Sequence, residues 1–65
     1  MKNYGQRLKT LRKQKEVSLQ ALSKEINANV LMIKDWENGK RVLTVVHLIR
    51  LAQYFDVSID YLVGL

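Results

Sequence analysis

No proline interrupts this 65-residue chain, and its three glycines, Gly5, Gly39 and Gly64, stand far apart. Proline and glycine are the strongest local punctuators of secondary structure, so their scarcity removes most routes to hairpins and long irregular loops. The apolar residues recur at helical intervals. Tyr4, Leu8 and Leu11 fall at i, i+4 and i+7, which predicts a first helix over residues 3–14 with its cations on the other faces.

Asn38-Gly39 would signal a hairpin if it joined two alternating strands. The preceding Val30-Leu31-Met32-Ile33-Lys34-Asp35 does not alternate, so a helix over 29–38 is expected instead. Asn29 is an N-cap type, Ile33 and Trp36 lie one turn apart, and Gly39 closes the helix in the left-handed conformation. Upstream, Ser18 offers a cap to a second helix in which Leu22 and Ile26 share a face and Asn27 is the stop. Ser23 is small enough for a close helix crossing, and its hydroxyl can bond back to the carbonyl of Leu19.

Thr44 caps a fourth helix, with Val45, Leu48, Ala52 and Phe55 as the inward row and Ile49 and Leu51 widening it. Ser58 caps a short fifth helix holding Ile59 and Leu62, with Val57 beside them and Gly64 at its end. Residues 1–65 thus read as a single all-α domain, a compact five-helix bundle joined by short turns. So short a chain buries only about 60% of the surface it exposes when unfolded, so its core is thin.

The net charge is +5, and it is uneven. Lys2, Arg7, Lys9, Arg12, Lys13 and Lys15 all precede the first acid, Glu16, and Lys40 with Arg41 follows Gly39. A polyanion is the natural partner, against the plainer reading of a solvated helix face. Cysteine is absent, so there is no disulfide framework or thiolate metal site, and a reducing cytoplasm is the simple assumption. The longest apolar run, Val30 to Ile33, is far short of a membrane span.

Catalysis finds no foothold. His47 is the single histidine and falls on the expected outer side of the fourth helix; no phosphate-cradling glycine loop or metal-ligand spacing occurs. No enzyme activity and no cofactor are expected.

The informative unit is the stretch from Ser18 to Asn38, a short helix, a tight turn and a second short helix. The chain resembles the Xre-type helix-turn-helix family, the class of phage repressors and Cro proteins, along almost its whole length without a gap. The matching residues are Arg7-Leu8-Lys9-Thr10-Leu11-Arg12, Ser18, Leu22, Ile33, Trp36-Glu37-Asn38-Gly39-Lys40, Leu51-Ala52, and Asp56-Val57-Ser58-Ile59-Asp60-Tyr61-Leu62. The resemblance implies a lambda-repressor-like DNA-binding domain whose third helix lies in the major groove.

By the family's pattern, Leu19, Val30, Leu31, Lys34 and Asp35 would read bases, and Ser18, Asn38, Lys40 and Arg41 would touch phosphates. Trp36 would anchor the core, and Glu37 would pair with a first-helix arginine such as Arg12. A helical wheel independently sets Leu31, Lys34, Asp35 and Asn38 opposite Ile33 and Trp36. The chain departs from the family where Leu19 replaces the usual glutamine, Val30 and Leu31 replace polar residues, Leu43 replaces proline and Asn27 replaces glycine.

Aliphatic side chains address only thymine methyls, so two readings stand. The favoured one is a sequence-specific double-stranded DNA-binding regulator, most simply a repressor. The other is a protein-binding modulator or antirepressor using Leu19, Val30, Leu31 and Met32 as an apolar patch for a repressor, or an antitoxin-like module that also grips a toxin. Met32 lies at the flank of the inward face and is expected to be core rather than contact. A homodimer on two-fold DNA is expected, with Tyr61, Val63 and Leu65 as candidate interface residues, joined by Tyr54 and Phe55; the alternative is that these residues close the core of a monomer.

Overall fold

Each of the four later helices starts on a side chain that caps it. The computed structural model describes residues 4–64 and contains α1 (Tyr4–Gln14), α2 (Leu19–Ile26), α3 (Val30–Glu37), α4 (Val45–Phe55) and α5 (Ile59–Val63). Asn3, the expected start of the first helix, and Leu65 lie outside the described residues. Ser18 Oγ accepts from the Ala21 amide at 3.0 Å, Asn29 Oδ1 from Met32 at 2.8 Å, Thr44 Oγ1 from His47 at 3.2 Å and Ser58 Oγ from Tyr61 at 2.9 Å. Each such cap contributes about 1 kcal/mol, a large help to helices this short.

The helix ends are equally regular. At the end of α3, Gly39 has φ of 73°, its amide donates to the Trp36 carbonyl at 3.2 Å and the Lys40 amide donates to Asp35 at 2.8 Å. The same paired closure follows α1, where Glu16 takes φ of 56° and the Val17 amide reaches the Arg12 carbonyl at 3.1 Å. Asn27 and Asp56 also adopt left-handed angles, φ 56° and 55°. After these three non-glycine turns an apolar residue, Val17, Ala28 or Val57, tucks back toward the protein. Asn27 therefore does the work of the glycine it replaces.

The principal helix contacts close on themselves. α3 packs on α1 and α2, α2 on α4, α4 on α5, and α5 back on α1. Leu8, Leu22, Ile26, Ile33, Trp36, Leu51 and Leu62 are wholly buried inside this ring. Leu43 is also buried, so the residue that replaces proline ahead of α4 contributes to the core. Arg50 reaches across to donate to the Ile26 carbonyl at the end of α2, at 3.3 Å.

Several expected core positions differ. Val45 is 71% exposed and Ile49 39% exposed, whereas Leu51 and Ala52 are buried. Val45 has the right phase for the inward row, but the first turn of α4 runs past the edge of its neighbours. Ile59, at the start of α5, is likewise exposed, and Leu62 and Val63 take the inward positions. The Ser23 hydroxyl donates to Gln20 O at 2.7 Å rather than to Leu19. His47 is half-buried, with its ring 5.0 Å from that of Trp36 and Nδ1 2.7 Å from Thr44 Oγ1.

Two features fix α1 against the end of α3. Gly5 is buried, and a Cβ there would collide with the backbone oxygen of Trp36 and lie 3.0 Å from that of Glu37. Arg12 then takes the Glu37 carboxylate side-on, Nε to Oε2 at 2.7 Å and Nη2 to Oε1 at 3.1 Å. Arg12 also donates to the Val17 carbonyl at 3.3 Å. The hydrogen bond that Arg12 donates to Glu37 raises the Arg12 pKa above its ordinary value, opposed by desolvation, so the guanidinium stays charged at any working pH.

Gly5→Ala is expected to cost about 3 kcal/mol, because both colliding atoms are backbone and cannot rotate away. Urea unfolding followed by Trp36 fluorescence measures it, and an unchanged midpoint would contradict the close approach. Glu37→Ala and Arg12→Ala should each cost about 3 kcal/mol, and the double variant clearly less than their sum, since each single change strands a charge with little access to water.

Candidate nucleic-acid interface

α3 has two unlike faces. Ile33 and Trp36 are wholly buried, while Leu31 is 64% exposed and Lys34 and Asn38 stand in solvent. The helix is aimed by its two ends. Asn27 turns the chain sharply, with the Ala28 amide bonded to Ser23 O at 3.0 Å, so that α2 and α3 pack closely. At the other end the Gly39 closure directs Lys40 and Arg41, both exposed, into the following loop.

Of the expected base-reading residues, Leu31 and Lys34 are outward. Val30 is half-buried at the first position of α3. Leu19 is half-buried and packs against the core, because the first turn of α2 leans onto the bundle. Asp35 is also half-buried, and its Oδ2 lies 3.6 Å from Nε of Arg41. The pair joins an expected base reader to an expected phosphate contact; solvent weakens it to at most about 1 kcal/mol.

Ser18 is exposed, but its Oγ is engaged in capping α2, which leaves the backbone N–H groups of the first turn as the donors at that helix end. Met32 packs on the core, as its flanking position suggested. Among the apolar patch residues Leu19, Val30, Leu31 and Met32, only Leu31 is mostly exposed.

Tyr4 was read from sequence only as a core residue. Its hydroxyl donates to the Arg41 carbonyl at 2.9 Å, pinning the cationic loop to the start of α1 across 37 positions of sequence. No local pattern signals such a bond. Gly5 did carry a signal, since a glycine inside an otherwise periodic helix usually marks a close approach.

The candidate dimer residues separate. Val63 is buried at the end of α5 and is unavailable, because the short helix turns it inward beside Leu62. Tyr61 is exposed, with the Arg7 guanidinium 5.0 Å from its ring centroid. Tyr54 and Phe55 are half-buried and meet edge to face at 5.0 Å. A separate apolar group is exposed instead: Val42, Val45, Val46 and Ile49, ahead of and along the start of α4.

Among the described residues no group of histidine and carboxylate side chains could hold a metal ion, and no helix is long and apolar enough to cross a membrane.

Comparison with known proteins agrees with this geometry. Residues 8–62 match the family model described as helix-turn-helix. The structure resembles the crystal structure of the restriction-modification controller protein C.AhdI from Aeromonas hydrophila, with a TM-score of 0.85 and 28% sequence identity over 92% of this chain and 91% of that one. A search of curated proteins gave no match. The all-α ring of five helices, the capped α2–α3 pair and the family match lead to one assignment: the chain belongs to the helix-turn-helix family of DNA-binding transcriptional regulators, a non-enzymatic family.

Proposed function

We propose that this protein is a sequence-specific repressor that reads the major groove of double-stranded DNA with α3. The observation that carries this reading is the exposure of Leu31 and Lys34 on a helix whose opposite face is completely buried. In this reading Lys34 donates to guanine, Leu31 and Val30 contact thymine methyls, and Asp35 accepts from cytosine only by giving up Arg41. Lys40, Arg41, Asn38 and the first-turn amides beyond Ser18 hold phosphates and set the register. The likeness to a controller protein supports a regulatory role, and repression is the simplest result of a small protein occupying the groove at a promoter.

A protein-binding role for the α3 patch, toward a repressor or a toxin, has weaker support. Leu19 and Met32 lean into the core, so Leu31 is left without the contiguous apolar surface that such a site uses.

On DNA the protein acts as a homodimer, and the valine group ahead of α4 suits the contact better than the C-terminal residues. Val42 follows Arg41 directly, so a second copy seated there would lie beside the phosphate-contacting loop, as adjacent half-sites require. Four aliphatic side chains fall short of the roughly 800 Å² per partner of a standard interface, so association is weak off DNA and completed on it.

Fluorescence anisotropy across a salt series tests the DNA reading. Lys40→Ala and Arg41→Ala should each lower the slope of log affinity against log salt by about 0.9 per half-site, about 1.8 for the dimer. Lys34→Ala should keep the slope and flatten discrimination at one base pair by about 1–3 kcal/mol. Binding that is insensitive to salt would overturn the proposal. Val45→Glu places an acid in the first turn of α4, where the helix tolerates it. It should weaken binding to a two-half-site duplex at least about tenfold and leave a single half-site unaffected; equal binding to both would remove the valine group as the dimer contact.

A further inference from the structure

A cleft of about 340 Å³ opens between α1 and α5, lined by Gln6, Arg7, Thr10 and Tyr61. It belongs to a different part of the ring from the reading face, because the principal packing of α5 is on α1 and α4. Every lining side chain carries a hydrogen-bonding group and none is an acid.

Arg7 is poorly satisfied there. Its Nε is buried and makes no hydrogen bond among the described residues, and the guanidinium lies 5.0 Å from the centroid of the Tyr61 ring. The ion pairs among the described residues, Arg12–Glu37 and Arg41–Asp35, do not use it. A guanidinium presents a planar fork of donors that matches a carboxylate side-on. The same chain displays that pairing at Arg12, whose Nε and Nη2 grip the Glu37 carboxylate at 2.7 and 3.1 Å. Arg7 has the same fork and, among the described residues, no acid to grip.

We propose that the cleft is a docking point for an aspartate or glutamate side chain of a protein partner. A small rotation of the guanidinium along the Tyr61 ring presents Nε and a terminal nitrogen to the incoming carboxylate. Thr10 and Gln6 add donors from one helix turn, and Tyr61, 44% exposed, forms the wall against which the partner's backbone or side-chain stem rests. A protein side chain fits better than a free anion because three of the four lining residues come from α1 alone, so the rest of the contact must come from surface around the cleft. Arginine and tyrosine are also the residue types that dominate the energetics of protein contacts. The site is independent of how α3 reads DNA.

The test is an amide and arginine Nε–H shift titration of the whole protein at constant ionic strength. The probes are a blocked leucine–glutamate–leucine tripeptide, its glutamine counterpart, inorganic phosphate and a random DNA duplex. Saturable shifts at Arg7 and Thr10 are expected with the glutamate peptide and not with the glutamine one. Arg7→Lys should weaken the interaction several-fold and Arg7→Gln abolish it, whereas Lys9→Gln, which removes an exposed cation of the same helix, should leave it intact. Should Arg7→Gln fail to fold, Thr10→Val supplies the second variant and should weaken binding without changing the melting temperature. Absence of saturation, equal response to the glutamine peptide, or equal loss in Lys9→Gln would overturn the proposal. Shifts at the cleft from phosphate or duplex without any from the glutamate peptide would overturn it in favour of a nucleic-acid contact.

Discussion

The outward face of α3 is usable because its inward face is held against α1 at close range. Gly5 lets the α1 backbone approach the carbonyls of Trp36 and Glu37, and Arg12 locks the Glu37 carboxylate from the same side. Trp36, wholly buried, fills the space that this approach defines. Deleting so large a buried side chain generally costs about 3–5 kcal/mol, comparable with the total stability of many domains this small. Each element of the seam constrains the others: without the glycine the helices separate, and the guanidinium no longer reaches its acid. The position of Leu31 and Lys34 relative to the rest of the protein is set there, on the side of α3 away from them.

What the sequence revealed was local. Ser18, Asn29, Thr44 and Ser58 announced the helix starts because capping needs only a side chain and an amide three residues ahead. Asn27, Gly39 and Gly64 announced three helix ends, whereas Glu16 did not, glutamate seldom adopting left-handed angles, and Asp56 did not because nothing around it marked it as a stop. Val45, Ile49, Ile59 and Val63 were misplaced for another reason. Periodicity gives the phase of a helix face but not where the neighbouring helices stop, and three of these positions lie beyond that edge while Val63 lies within it.

The interface divides in the same way. Opposition of Leu31 and Lys34 to Ile33 and Trp36 follows from the geometry of one helix and was legible. The leaning of Leu19 and Met32 into the core, the Asp35–Arg41 pair and the bond from Tyr4 to the Arg41 carbonyl depend on three-dimensional proximity. The aliphatic replacements at Leu19 and Val30 therefore leave the outward face little changed. Leu19 serves packing, and what remains outward is one cation, one large aliphatic side chain and the cationic loop beside them.

The cyclic order of helix contacts has a further consequence for motion. A helix in a linear stack can detach from one end while the remainder persists, but here every helix has two neighbours, and α5 joins the end of the chain to α1. Detaching the five-residue α5 takes Leu62 and Val63 out of the core and opens the contacts to α1 and α4 together. α3 packs on both α1 and α2, so its buried amides reach solvent only when two helix contacts are lost together.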